Sequence, residues 1–159
     1  MADEERLRAA IGPRADYYLR RWREMDASGK SYSWNWAACL ANMYWFIFRK
    51  MWLSLILFIL ANIVLSMVPA LLPIPNKYVV PMLIGLSFVT GYYGNYLYRR
   101  QIGKLVASPA TIEQLRARGG TSPLALGIAL ALTAVLVALA AVPVYQQIQA
   151  QRAARLHSP

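Results

Sequence analysis

The side chains that most often do chemistry lie outside the apolar parts of this chain. Cys39 and His157 are the single cysteine and the single histidine, so neither an internal disulfide nor a Cys/His metal cluster is expected. No HExxH, no carboxylate pair within an apolar stretch and no Ser–His arrangement occurs. We therefore expect no enzyme, no metal site and no cofactor. All seven acidic residues fall outside the long apolar stretches: Asp3, Glu4, Glu5, Asp16, Glu24, Asp26 and Glu113.

The polar residues inside the apolar stretches are amides and hydroxyls rather than ionisable groups. Ion pumps and proton-coupled transporters rely on ionisable residues there, so this class is not expected. Asn62 lies near the middle of the first long apolar stretch, residues 51–72, and its side chain needs a hydrogen-bond partner. Packing between helices of the chain is the simpler interpretation, and contact with a partner subunit is the alternative. The full set is Asn42, Ser54, Asn62, Ser66, Ser87, Thr90, Asn95 and Thr133.

Three apolar stretches, residues 51–72, 79–98 and 123–145, contain no Asp, Glu, Lys, Arg or His. As helices they would each span roughly 30 to 35 Å, enough to cross the hydrocarbon core of a bilayer. The sequence therefore predicts an all-α integral membrane protein with three transmembrane helices in a domain over residues 51–145. A cytoplasmic amphipathic region (1–33) and an interfacial helix (34–50) precede this domain, and a tail (146–159) follows it.

The N-terminal region predicts two short helices, over residues 3–11 and 14–25. Gly12-Pro13 separates them, and no cleavable signal peptide is expected because the chain opens with acidic residues. Tyr18, Leu19, Trp22 and Met25 form one apolar face of the second helix. That face could lie on a membrane surface or pack against the protein's own helices, and the sequence does not distinguish the two.

Residues 34–48 are apolar and aromatic but too short to span a membrane, which favours an interfacial or re-entrant helix. Ser33 is the predicted N-cap. Arg49-Lys50 follows without Gly or Pro, so we expect the helix to bend into the first span without a turn.

The basic residues predict the orientation. The side that holds residues 1–50 and the inner loop 99–122 carries 14 Lys and Arg, and the other side carries 3. The positive-inside rule then places the N-terminus in the cytoplasm and the C-terminus in the periplasm. The inner loop is expected to hold a short helix with Pro109 in its first turn and Gly119-Gly120 at its end.

Aromatic and basic residues near the span ends are predicted to anchor the protein at the lipid head groups. They are Trp22, Trp34, Asn35, Trp36, Trp45, Arg49, Lys50, Trp52, Tyr96, Tyr98, Arg99 and Arg100. A second set of amides and small residues is predicted to mediate helix packing: Asn62, Gly85, Gly91, Gly94, Asn95, Ala125, Ala129, Ala134 and Ala138.

Several short segments resemble a family of small bacterial inner-membrane proteins catalogued as a domain of unknown function (2628). The segments are Ser33-Trp34-Asn35-Trp36-Ala37-Ala38, Met43-Tyr44-Trp45, Phe48-Arg49-Lys50-Met51-Trp52 and Gly94-Asn95-Tyr96-Leu97-Tyr98. Phe48 stands where the family pattern has Tyr. The resemblance covers residues 15–105, implies a bacterial inner membrane and brings no activity with it.

A net charge of +10 would suggest a nucleic-acid partner in a soluble protein, but here the basic residues flank apolar spans. Anionic lipid head groups are therefore the expected partners, and nucleic acid is not. The leading functional expectation is a non-catalytic accessory or assembly subunit of a larger inner-membrane complex, possible hosts being respiratory or photosynthetic complexes. A self-assembling pore or small-solute carrier, with Asn62, Ser66, Thr90 and Asn95 as its polar stripe, and a lipid-organising protein are the alternatives.

Overall fold

The structure, a computed structural model, describes residues 2–72 and 74–156. The chain divides into two compact units, residues 1–123 and 124–159. The first holds α1 (Ala2–Ile11), α2 (Ala15–Ser28), α3 (Trp36–Phe48), α4 (Trp52–Leu71), a 3₁₀ turn (Asn76–Tyr78), α5 (Val79–Val106) and α6 (Ile112–Arg118), and the second is the helix α7 (Pro123–Leu156). No strand occurs in the described ranges, so the expected all-α class is confirmed. His157 lies outside these ranges.

The two predicted N-terminal helices are present and pack against the rest of the first unit. Gly12 and Gly29, both with positive φ, end α1 and α2. The apolar face of α2 is buried at Tyr18, Leu19, Trp22 and Met25. Of the two interpretations of this face, the structure shows packing against the protein's own helices.

The helix α3 consists of two short arms joined at Asn42, whose φ of 39° and ψ of −109° are not helical. Its contacts with α5 trace the path: the Asn35 amide donates to the Gly91 carbonyl at 2.8 Å, and Asn42 Nδ2 donates to Ser87 Oγ at 3.0 Å. The Lys50 carbonyl then accepts from Gln101 Nε2 at 3.2 Å. The chain thus descends along α5 by about one turn to Asn42 and then returns over about 20 Å, so α3 starts beside the middle of α5 and ends near its last turns.

A tight reversal joins α3 to α4, where the sequence predicted a bend without a turn. The Met51 amide donates to the Phe46 carbonyl and the Lys50 amide to the Ile47 carbonyl, the bond pattern of a Schellman motif. Lys50 takes the left-handed position, with φ of 54°, which glycine usually occupies. Met51 is wholly buried, as the motif's apolar contact requires. The absence of Gly and Pro was therefore a misleading signal here.

Two stretches of the described chain, rather than the expected three, are long and apolar enough to cross a membrane: Trp52–Pro69 and one within Ile112–Gln149. None of the first is buried inside the protein. The helix α5 is long enough to cross a membrane but is not apolar enough. Its second half has a lower hydropathy because it contains tyrosines, glycines, Asn95 and basic residues. It also runs to Val106, so the predicted loop 99–122 begins eight residues later than expected.

The helices α1 and α2 pack on the last turns of α5 and α6 packs on α1, and we call this assembly of α1, α2, α6 and the end of α5 the cap. Arg6 ties α1 to the end of α5, because its guanidinium donates to the carbonyls of Val106, Ser108 and Ala110 at 2.8–3.0 Å. Thr111 N-caps α6 in a capping box with Gln114, so Pro109 precedes the first turn rather than lying in it. Gly119 ends α6 as predicted.

Two of the three glycines in α5 that were predicted to mediate packing lie in close contact with α3. A Cβ on Gly91 would lie 2.7 Å from Cys39 Cβ, and one on Gly94 would lie 2.7 Å from Ala38 Cβ. Gly85 faces open space, and Asn62 donates to Phe58 of its own helix at 2.8 Å. In α7, Ala125 and Ala129 are half-buried whereas Ala134 and Ala138 are exposed.

The glycine contacts predict opposite outcomes for alanine substitutions on one helix. Gly91→Ala and Gly94→Ala should each destabilise the protein by about 1–3 kcal/mol, because the new methyl group must displace α3. Gly85→Ala should be neutral or stabilising by up to about 1 kcal/mol, because it only improves helix propensity. Apparent melting temperatures in detergent test this, and equal values for all three variants would contradict the α3–α5 packing.

Candidate functional site: an asparagine pair and a buried arginine

Two asparagines from the family-like segments form a direct hydrogen bond. Asn35 Nδ2 donates to Asn95 Oδ1 at 2.8 Å, although the two residues are 60 positions apart. Both side chains are buried, with Asn95 fully enclosed. Asn35 is also the N-cap of α3, because its Oδ1 accepts from the Ala38 amide at 3.0 Å. The predicted N-cap, Ser33, was therefore wrong.

Ser33 and Trp22 complete the hydrogen bonding around this pair. Asn95 Nδ2 donates to Ser33 Oγ at 2.8 Å, and the Trp22 indole donates to the Asn95 backbone carbonyl at 3.1 Å. The pair thus connects α2, the start of α3 and the middle of α5. Because each amide oxygen and nitrogen has a partner, burying these polar groups carries little of the usual penalty.

Arg49, at the end of α3, is buried to 2% exposure between aromatic rings. Its guanidinium carbon lies 4.6 Å from the Tyr18 ring centroid and 5.2 Å from that of Tyr98. Nη1 is 3.5 Å from both the Ile11 carbonyl and the Tyr98 hydroxyl, and Nε has no partner in the described part of the chain. None of the ion pairs among the described residues includes Arg49. Cation–π contacts therefore stabilise this charge in place of a carboxylate.

The arrangement is suited to holding helices together. The described residues contain no group of three His, Cys, Asp or Glu side chains that could hold a metal ion. Arg49 and Asn95 are enclosed by protein, so a substrate could not reach them without opening the cap. Together with Tyr18, Trp22, Trp45 and Tyr98, they form an aromatic and polar hub where α2, α3 and α5 meet.

The predicted anchoring residues separate into a buried and an accessible group. Trp36 and Trp52 are exposed at 65% and 51%, and Arg100 is exposed as well. Trp34, Lys50, Tyr96 and Arg99 are half-buried. The remaining five lie inside the protein, where packing and not lipid contact is their observed role: Trp22, Asn35, Trp45, Arg49 and Tyr98.

Arg99 and Lys50 make protein contacts at the edge of the cap. Arg99 donates to both carboxylate oxygens of Asp26 at 2.6 and 2.9 Å. These hydrogen bonds hold the pKa of Asp26 below its ordinary value of 3.8. Lys50 Nζ donates to the Ala117 carbonyl at 2.8 Å, which links the turn after α3 to α6.

Sequence reasoning missed the partners that complete the hub. Nothing in their spacing pairs Asn35 with Asn95 or Arg49 with Tyr18, because both contacts are long-range. The available signal was that Asn35, Arg49 and Asn95 all belong to the family-like segments. Arg6, which caps α5, lies in a charged helix and carries no distinguishing pattern.

The asparagine pair predicts a large cost for removing either amide. Asn95→Ala and Asn35→Ala should each destabilise the protein by about 1–3 kcal/mol, because the remaining buried amide loses its partner. The double variant should cost less than the sum of the two. Asn62→Ala is the matched control and should be near neutral, since Asn62 bonds only within its own helix. Additive effects in thermal unfolding would contradict a direct coupling.

The position of Arg49 predicts that lysine cannot replace it. Arg49→Lys should destabilise by roughly 1–2 kcal/mol, because a compact, strongly hydrated ammonium cannot stack on Tyr18 and Tyr98. Arg100→Lys, at an exposed position, should leave the melting temperature unchanged. A thermal shift assay in detergent measures the melting temperature of both variants. An unchanged melting temperature for Arg49→Lys would show that the stacking contributes nothing to stability.

Comparison with known proteins gives a family but no function. A family model described as a protein of unknown function (DUF2628) matches residues 4–104, which run from the first turn of α1 to the last turn of α5 and include every residue of the hub. No curated protein and no solved structure matches the chain. Because the family model matches more than half of the 159 residues, the chain belongs to the DUF2628 family.

Proposed function

We propose that this protein is a non-catalytic, multi-pass protein of the bacterial inner membrane that serves as an accessory or assembly subunit of a larger complex. In this proposal α4, α5 and α7 cross the bilayer, and the cap lies in the cytoplasm. No residue of Trp52–Pro69 is buried and most of its large apolar side chains are exposed, which supports the membrane location, because a soluble helix of that composition would be covered. The 14-to-3 distribution of basic residues supports the orientation.

In this orientation α3 is a re-entrant segment. Its first residues lie beside the middle of α5 and its last beside the basic end, whereas Asn42 lies beside Ser87, deeper in the apolar part of α5. Irregular backbone at membrane depth is tolerated only where protein or water satisfies it. The Asn42–Ser87 hydrogen bond is one such contact. The predicted interfacial placement of residues 34–48 thereby becomes a dip into the bilayer.

The observation that carries the accessory role is a cleft of about 500 Å³ at the tip of α3. Its walls come from Leu40–Tyr44 of α3 and from parts of α4 and α5, including Ile59, Asn62 and Ser87. Asn42 Oδ1 is buried there without a donor from the described residues. A hydrogen-bond acceptor in an apolar cleft needs a donor that lipid tails cannot supply. A partner's transmembrane helix with a hydroxyl or amide group would supply one.

Neither alternative function gains a comparable observation. The residues that a pore would need do not form one stripe: Asn95 faces α3, Thr90 bonds within its own helix, and Ser66 is exposed. Surface binding by α2 would require the apolar face that is buried against the protein. The pore and lipid-organising interpretations therefore remain secondary.

The decisive experiment is a pull-down of the tagged full-length protein from membranes solubilised in mild detergent. We expect a stoichiometric larger membrane partner. Ile59→Trp, which fills the cleft, should reduce its recovery severalfold, because the partner's helix can no longer enter.

Leu57→Trp is the matched control, because Leu57 is exposed at 57% on the side of α4 away from the cleft. It should recover the partner normally. Recovery of a monomer or of the protein's own copies alone would contradict the accessory role. Equal loss with both variants would contradict the cleft as the contact surface.

A further inference from the structure

A second cavity, of about 1290 Å³, lies in the cap between α1, α2 and α5. We propose that it binds the head group of a zwitterionic phospholipid, with the phosphate on basic residues of α2, of the turn after α2 and of α5, and a primary ammonium group on carboxylates of α1. The inference rests on the proposed membrane location but not on any protein partner.

The base of the cavity is apolar. Leu19, Trp22 and Met25 of α2 line it and are each less than 9% exposed, and Leu7 of α1 lies beside them. The base of the cavity is therefore a packed apolar floor with little surface left open to solvent. The charged groups that could bind a head group stand on the walls around this floor.

Three basic residues on the cavity wall have no acidic partner among the described residues. Arg23, Lys30 and Arg100 all line it, and none forms an ion pair. Arg99 also lines it, but Asp26 already neutralises its charge. Three unpaired cations around one cavity attract a group with several anionic oxygens, and phosphate has the geometry that arginine recognises best.

The helix α1 contributes the opposite charge to the same cavity, through Asp3 and Glu4. Glu4 is shared with Arg8, whereas Asp3 forms no ion pair among the described residues. The lining therefore holds four cations and three carboxylates, which is close to balance. A purely anionic head group would leave the carboxylates facing a negative charge. A head group that carries both a phosphate and an ammonium matches both walls.

The surface of α5 explains why a lipid is favoured over free phosphate. Val89, Tyr93, Tyr96, Arg100 and Gly103 recur at helical spacing and share one face of α5. Tyr96, Arg100 and Gly103 line the cavity, while Val89 and Tyr93 continue the face below it and are 53% and 42% exposed. An acyl chain could follow this exposed face into the bilayer while the head group stays in the cavity.

The test is lipid binding to the delipidated full-length protein in detergent, followed by native mass spectrometry. Dioleoyl phosphatidylethanolamine is the probe, and we expect one molecule to bind. Dioleoyl phosphatidylglycerol and dioleoyl phosphatidylcholine should bind at least tenfold more weakly, because neither supplies a primary ammonium. Inorganic phosphate should not displace the lipid. Equal binding of the three lipids to the unsubstituted protein, or displacement of the bound lipid by inorganic phosphate, would overturn the proposal.

Matched triple variants locate the site. Substituting Arg23, Lys30 and Arg100 by Gln should weaken binding by at least tenfold. Substituting Arg14, Arg116 and Arg118 by Gln removes the same charge from exposed positions outside the cavity and should leave binding intact. Asp3→Asn with Glu4→Gln should abolish the preference for ethanolamine over glycerol. If the two triple variants have similar melting temperatures and weaken lipid binding equally, the proposal is overturned. This outcome does not depend on whether a partner protein binds the α3 cleft.

Discussion

The hydrogen bond between Asn35 and Asn95 is the contact on which the rest of the first unit depends. It holds the N-cap residue of α3, since Asn35 Oδ1 accepts from the Ala38 amide, and it fixes the depth at which α3 meets α5. Gly91 and Gly94 allow the close approach that brings the two amides into range. Since a buried amide without a partner costs about 1–3 kcal/mol, the pair disfavours any other register between the two helices.

Arg49 extends this constraint from α3 to the cap. Burying a guanidinium without a carboxylate is normally unfavourable, because the free energy lost on desolvation exceeds the free energy gained from contacts with neutral groups. Here the rings of Tyr18 and Tyr98 surround the charge, and the Ile11 carbonyl and Tyr98 hydroxyl lie at the limit of hydrogen bonding. The charge therefore stays buried only while α1, α2 and α5 remain assembled. This couples the folding of the cap to the position of α3.

Local signals in the sequence were sufficient for some elements and insufficient for others. The apolar face of α2 and the glycine end of α6 depend on neighbouring residues, and both were predictable. The positive φ of Asn42 and Lys50 was not, because positive φ is uncommon outside glycine and no neighbouring residue signals it. The asparagine pair joins residues 60 positions apart, so no periodicity could reveal it. Amphipathic anchoring and core packing also produce the same aromatic pattern, which explains why Trp22 and Trp45 were placed at a lipid surface.

The hydrogen bonding of the interior indicates where external contacts can act. Among the described residues, the buried side-chain atoms without a partner are Arg21 Nε, Trp34 Nε1, Asn42 Oδ1 and Arg49 Nε. The nitrogen of Arg49 is enclosed by the hub, so no external group can satisfy it. Asn42 differs, because the residue lies at a break in the helix and lines an open cleft, so a small side-chain rotation would bring its buried Oδ1 to a partner. The hub therefore acts as a fixed support, and recognition belongs to the surfaces that it holds in place.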